Sequence, residues 1–318
     1  MPELALYGGA PYRARPFPQR TPFTEEAVAL AVEAIRSQNL FGPSGRFVPM
    51  LEREFAALYG AQHAVACSSG TAAIHIALGT VNPNPGDEVI TTPITDAGGI
   101  LPILFQNCVP VFADVDTTLN LDPQDVERQI TPRTTAIIAT HLAGNACQIE
   151  ALAEIARRHG IALIEDCSQA HVTRYHERYL GTYGDIAAFS LQQSKHMTAG
   201  DGGVVITNRA DWAERMRLFG DKGWLRGPRG GRRSYAVLGL NYRMTELQAA
   251  VALPQIGTVR AAVERRMELG AHLASRIRDL PGLQPPPVTE GSEHSCWMVP
   301  LHVERWTAAR FAEALTAE

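Results

Sequence analysis

Lys195 ends the segment Ser190-Leu191-Gln192-Gln193-Ser194-Lys195, and the turn Gly200-Asp201-Gly202-Gly203 follows it. An ε-amine does covalent chemistry on a carbonyl only where its surroundings depress its pKa. Most lysines are solvated, so one lysine in a turn says little alone. Two further segments change its meaning. Asp166, in Glu165-Asp166-Cys167-Ser168-Gln169-Ala170-His171, stands 29 residues before the lysine, at the end of an apolar run. Cys67-Ser68-Ser69-Gly70-Thr71-Ala72-Ala73 joins another apolar run to a helical stretch. Free N–H groups at a helix start, beside small residues that let the backbone come close, make a phosphate cradle. No GxxxxGK[ST] occurs, so this is not a nucleotide P-loop. Each feature alone is a cap or a solvated charge. In this order they supply a phosphate cradle, an acid, the Ser190 hydroxyl and an amine, which together make a cofactor site.

Such residues need a scaffold that brings strand ends together. Apolar strand-like runs occur at 64–67, 88–92, 109–113, 136–140, 161–165, 186–190 and 204–207, with helical stretches at 71–79, 97–106, 122–130 and 149–159 between most of them. The runs are continuous rather than alternating, as in a mostly parallel sheet covered on both faces. The three candidate segments then fall at carboxyl ends of strands, where such sheets place their sites. Ahead of the alternation, Thr24 caps a helix whose Val28, Val32 and Ile35 share one face, and a second helix spans 50–59. After residue 210 comes a helix at 210–219, a basic glycine-rich loop at 226–233, and a long helical stretch from 245 to 280 interrupted at Pro254. Prolines 281 and 285–287 mark a linker. A strand in CWMVPLHV and a helix at 307–317 then read as an incomplete second domain.

Composition agrees with a folded enzyme. The chain has 318 residues, 45% hydrophobic and 19% charged, with 29 basic against 33 acidic side chains for a net charge of −4. That charge favours neither nucleic acid nor an anionic membrane, and the arginines at 226, 229, 232 and 233 read as a solvated turn rather than a nucleic-acid patch. No apolar run reaches bilayer length, and the N-terminus lacks a secretory pattern. The five cysteines form no CxxC pair and read as buried thiols of a cytoplasmic protein, with no metal site expected.

SSGTAAIHIAL, GDEVITTP, PVFADVD, IEDCSQAH, GDIAAFSLQQSK, GDGGVVITN and NYRMTELQAA, in this order, make the chain resemble the DegT/DnrJ/StrS family of pyridoxal-phosphate-dependent sugar aminotransferases. The resemblance implies a three-layer aspartate aminotransferase-like (fold type I) α/β large domain with a mostly parallel seven-stranded sheet at 1–245, and a small α+β domain at 246–318. It implies pyridoxal 5'-phosphate as cofactor. Lys195 matches the lysine that bonds covalently to it and moves protons, and Asp166 matches the acid under the pyridine nitrogen. Gln169 matches the residue near the ring oxygen, and Gly70, Thr71, Ala72 and Ser190 match the phosphate site. Asn241 matches an asparagine reaching the phosphate of a neighbouring subunit, which implies a homodimer with shared sites.

The expected reaction passes an amino group from glutamate or glutamine to a keto-sugar or keto-cyclitol by a ping-pong mechanism. CSQAH and FSLQQSK are most similar to members acting on keto-cyclitols. A nucleotide-sugar dehydratase is the alternative, but dehydratase members have histidine where Lys195 stands, and His196 is beside that position rather than in it; a catalytically idle cofactor-binding protein is a third reading. Two departures stand out: the C-terminal domain is shorter than usual, and Asp96 occupies the position where many members stack an aromatic on the cofactor ring. A buried carboxylate there needs partners, which predicts that Asp96 caps the Gly98-Gly99 turn. The basic loop is expected to close over an anionic acceptor. His141 and His171 fall near the site, where an imidazole at a strand end is more often a structural hydrogen-bonder.

Overall fold

The structure, a computed structural model, describes residues 3–226 and 234–318. The strands are β1 (His63–Cys67), β2 (Glu88–Thr91), β3 (Val109–Phe112), β4 (Thr134–Thr140), β5 (Ala162–Asp166), the short hairpin β6 (Arg174–Tyr175) and β7 (Arg178–Tyr179), then β8 (Ile186–Ser190) and β9 (Gly203–Thr207). Seven of them form one sheet in the order β1-β9-β8-β5-β4-β2-β3. Only β9 runs against the others. Every strand of this sheet coincides with an apolar run of the sequence.

The helices are α1 (Glu25–Arg36), α2 (Phe47–Tyr59), α3 (Gly70–Val81), α4 (Leu101–Phe105), α5 (Pro123–Gln129), α6 (Ile149–His159), α7 (Ala210–Gly220), α8 (Glu246–Ala252), α9 (Val259–Ile277) and α10 (Ala308–Ala317). They cover both faces of the sheet and give the expected three layers. Alternation along the strands feeds two cores: Ile137, Leu163 and Phe189 point to one with Phe55 and Leu152, while Ile138, Ile164 and Ala188 point to the other with Ile76 and Phe219. Burial on both sides explains why the strands read as unbroken apolar runs.

Three local expectations differ and a fourth holds. The helix at 97–106 is a 3₁₀ turn, Ala97–Gly99, followed by the short α4, because Asp96 caps the turn and Pro102 restarts the helix. The apolar face of α1 points outward: Val28, Val32 and Ile35 are exposed, and the helix buries Ala27 and Ala34 instead. The long helical stretch is α8, a 3₁₀ segment at Leu253–Gly257 and α9, so the break does fall at Pro254. The strand in CWMVPLHV shrinks to β13 (His302–Val303), paired with β12 (Leu283–Gln284), since Pro300 and a left-handed Cys296 (φ 50°) prevent a longer one. The hairpin partners β10 (Trp224–Leu225) and β11 (Ser234–Tyr235) flank the basic loop. Of that loop, Arg229, Arg232 and Arg233 lie outside the described residues. Arg226 is bonded to Asp221 and stacks over Trp224.

Candidate active site

The carboxyl ends of β1, β5 and β8 open onto a pocket of about 330 Å³ lined by Gly70, Thr71, Asp166, Gln169, Ser190 and Lys195. Six of the site residues read from the sequence therefore meet in one cavity. Its floor begins at α3. Ser69 caps that helix by accepting the Ala72 N–H at 3.0 Å, which leaves the amides of Gly70 and Thr71 at the pocket wall as the helix's positive end. Gly70 cannot carry a side chain, since a Cβ there would lie 2.6 Å from Ser190 Cβ. Ala72 is buried, with its amide spent on the cap, and does not line the pocket. Asn241 is exposed and also lies away from this chain's pocket.

Neighbouring residues on a strand face opposite ways, and the two acids ending β5 divide the work accordingly. Glu165 points into the protein and accepts the amides of Gly181 (2.7 Å), Tyr183 (2.8 Å) and Gly184 (2.6 Å). Asp166 points into the pocket, where Oδ1 accepts the Ser168 N–H at 3.0 Å and Thr140 Oγ1 stands 3.4 Å from Oδ2. One strong donor for a carboxylate only 4% exposed leaves it able to hold a further cationic group. Gln169 is oriented by the Ala143 N–H, which donates to its Oε1 at 2.6 Å.

Lys195 is 9% exposed. Burial lowers its pKa from the ordinary lysine value, against the opposing pull of the Asp166 and Asp96 carboxylates. The turn that carries it is tied down: Lys195 N–H donates to Gln192 O at 2.9 Å, and Ala199 N–H returns to Leu191 O. Asp96 lines the pocket's edge, its Oδ1 accepting the Gly98 N–H at 2.8 Å, so it is the cap expected of it. No aromatic comes from that turn. The aromatic wall is instead Trp297, which no motif of the sequence connects with Lys195. Ser168, Gln192, Ser194 and Asp201 also line the pocket; each lies within a few residues of a motif residue and follows from it.

The three nearby histidines are structural. His141 Nε2 donates to Glu165 Oε2 at 3.1 Å, and its Nδ1 accepts the Cys147 N–H. His141, Glu165 and Cys167 form a buried cluster whose ligand-type atoms lie within 4.8 Å of one another, and its hydrogen bonds hold strand ends together. His171 Nε2 donates to Ser190 O (2.9 Å), and His196 Nε2 donates to Ser295 O (3.0 Å).

Among the described residues no helix is long and apolar enough to cross a membrane. Compared with known proteins, the chain is 36% identical over 287 residues to a putative L-glutamine:3-amino-2,3-dideoxy-scyllo-inosose aminotransferase of Micromonospora echinospora, covering 89% of this chain and 68% of that one. It is 39% identical over 235 residues to the GDP-perosamine synthase of Caulobacter vibrioides, covering 74% and 60%. It thus spans less than two thirds of the latter's length. Among solved structures, 3-amino-5-hydroxybenzoic acid synthase superposes with a TM-score of 0.88 at 31% identity, over 94% of this chain and 79% of that one. The model of the DegT/DnrJ/EryC1/StrS aminotransferase family matches residues 23–318. A lysine, an acid and a helix start sharing one pocket, on this sheet and with these relatives, lead to one assignment: the chain belongs to the DegT/DnrJ/EryC1/StrS aminotransferase family.

Proposed function

We propose that the protein is a pyridoxal-phosphate-dependent aminotransferase that takes an amino group from glutamate or glutamine and gives it to a keto-cyclitol or keto-sugar in two half-reactions at one site. The observation that carries this reading is the convergence of a buried lysine, a buried acid and a bare helix start on one cavity. These residues fit the cofactor. The amides of Gly70 and Thr71, with the Ser190 hydroxyl, would hold its phosphate; Asp166 would hold its ring nitrogen, and Gln169 its ring oxygen. When bound, the cofactor supplies an aldehyde carbon and an electron-accepting ring. Lys195 would form the covalent link, and once displaced by the amino donor its neutral amine would move a proton between the donor's α-carbon and the cofactor's former aldehyde carbon, which lie on either side of the transferred nitrogen. Burial serves both tasks by lowering the proton affinity of its nitrogen. Asp166 would keep the ring nitrogen protonated through its negative charge.

Lys195, not His196, lines the cavity, and His196 is spent on Ser295 O, which favours amino transfer over the dehydratase alternative. The inosose class of acceptor is supported by the relative named above. We extend the reading to a homodimer. Asn241 is exposed away from its own pocket, and Val28, Val32 and Ile35 of α1 offer an uncovered apolar face beside exposed Leu40 and Phe41. Residues 1–245 then form the cofactor-binding domain and 246–318 a smaller one.

Borohydride reduction of the loaded protein should fix the cofactor's mass on Lys195, and Lys195→Ala should abolish amino transfer. Asp166→Asn should lower kcat on the order of 10²-fold, as expected for a lost electrostatic contact to transition-state charge. Near-normal turnover in Lys195→Ala would overturn the reading. Screening keto-cyclitols against nucleotide-linked keto-sugars with the amine-loaded enzyme identifies the acceptor.

A further inference from the structure

Trp297 reaches the pocket from a segment a hundred residues beyond Lys195, and the centroid of its ring lies 3.7 Å from Lys195 Nζ. It is the one aromatic side chain among the described residues lining that cavity. Its placement is built rather than incidental. The indole Nε1–H donates to Ser194 O at 3.0 Å, and the Trp297 amide donates to Ala143 O at 2.9 Å. Arg266 Nη1 donates to Trp297 O at 3.1 Å, and His196 Nε2 holds the preceding Ser295 O. Ser194 and His196 are the two chain neighbours of Lys195, so the lysine's own turn grips the segment that carries the ring. Cys296 adopts a left-handed conformation (φ 50°) that turns Trp297 inward, and Gly270 on α9 makes room for it: a Cβ there would lie 2.4 Å from Cys296 Sγ.

The other titratable groups around Lys195 are Asp166 at the end of β5, Asp96 in the turn after β2, Asp201 at the pocket edge, and His171, which burial keeps neutral. A carboxylate in contact with the ammonium would accept hydrogen bonds from it and anchor it as an ion pair. An aromatic face attracts the ammonium through its quadrupole yet has no lone pair to take the proton. It can therefore hold a lysine that must come and go. Without such a rest, the unbranched four-carbon stem would sample many rotamers each time the amine left the cofactor.

We propose that Trp297 is a positioning residue whose indole face holds the free Lys195 side chain in the pocket whenever that lysine is not bonded to the cofactor. This rests on Lys195 being the cofactor-bearing lysine, as proposed above.

The chain's 29 basic residues include only two lysines, Lys195 and the exposed Lys222, so lysine chemistry reports on the site directly. The cofactor-free protein is methylated with formaldehyde and cyanoborohydride across a range of pH, and the Lys195 peptide is read by mass spectrometry against the Lys222 peptide. Tryptophans carrying one to four ring fluorines are placed at position 297 alone; fluorine weakens the face's pull on a cation while nearly preserving its size. The apparent pKa of Lys195 should fall stepwise, by about half a unit to one unit across the series. A flat series overturns the proposal. In the loaded enzyme, Trp297→Leu should lower kcat about tenfold with little change in donor KM, and Trp297→Phe should restore most of it, a difference set by the aromatic face. Equal losses in the two variants would assign the role to the Ser194 hydrogen bond and overturn the proposal as well. Borohydride trapping at a site other than Lys195 would instead refute the functional reading, whereas trapping at Lys195 with a flat fluorine series refutes only the role of Trp297.

Discussion

His171 and His196 pack beside the lysine's turn as neutral rings, and their neutrality has a measurable cost. Burial pushes the His171 pKa down to about 4 and that of His196 to about 3. Both folded values lie below the unfolded value of 6.5, so on acidification the unfolded chain takes up these protons first. The stability tied to the neutral rings is complete above about pH 6.5 and is lost as pH falls toward 4. For fully buried His171 this amounts to about 3 kcal/mol. Urea unfolding between about pH 7 and about pH 4.5 should therefore show a steep loss that His171→Gln makes shallower. An unaltered slope in that variant would show that the ring is already charged in the folded protein. At this scale the sequence was informative where chemistry and chain order coincide. Ser190 and Lys195 share one segment, Asp166 ends an apolar run, and Gly70 opens a helix. It was silent on Trp297, because nothing in CWMVPLHV indicates that its backbone kinks at Cys296 and delivers an indole to a lysine a hundred residues away.

At the scale of elements, α2 begins with no cap of its own, since Arg46 contributes no side-chain bond to it. Glu246 does the work from the first turn of α8. Its Oε2 accepts the amides of Arg46 (2.6 Å) and Phe47 (2.7 Å), and its Oε1 accepts that of Val48 (2.8 Å). Three otherwise unpaired donors and the positive end of the helix share one carboxylate that is 2% exposed. Glu246→Ala should destabilise the protein by about 3 kcal/mol, with Glu246→Gln keeping part of the bonding and falling between. A change within experimental error on denaturant unfolding would mean that water satisfies those amides. This cap was invisible in the sequence because its halves are some 200 residues apart. Strands were legible because burial on both faces writes them as apolar runs. The apolar stripe of α1 was legible as a helix signal but not as an outward one, since periodicity gives the face and not its partner. The helix expected at 97–106 splits into a 3₁₀ turn and the short α4, because apolar content was visible while the capping competition from Asp96 and the Gly98-Gly99 pair decides the backbone.

On the scale of the whole molecule, the proposed homodimer with shared sites would make each copy incomplete alone. Lys195→Ala and Asn241→Ala should each be inactive as uniform dimers. Co-refolded in equal amounts, they should regain close to a quarter of wild-type activity, because half of the dimers are mixed and each mixed dimer rebuilds one of its two sites. Full activity in a monomeric species on light scattering, or no recovery in the mixture, would refute the shared arrangement.

The position of β9 bears on how the chain is made. β1 pairs with no other strand of the sheet, so its edge stays open until residues 203–207 have been synthesised, and the cap on α2 waits for residue 246. A nascent chain leaving the ribosome therefore carries an unsatisfied strand and an uncapped helix for most of its synthesis, exposed to the contacts that trap partly folded chains. The last strand to join the sheet also pairs with β8, where Gly203 lies opposite the pocket residue Ser190. A chain that has not sealed its core has no assembled pocket, and capacity to load the cofactor should appear late and abruptly during translation.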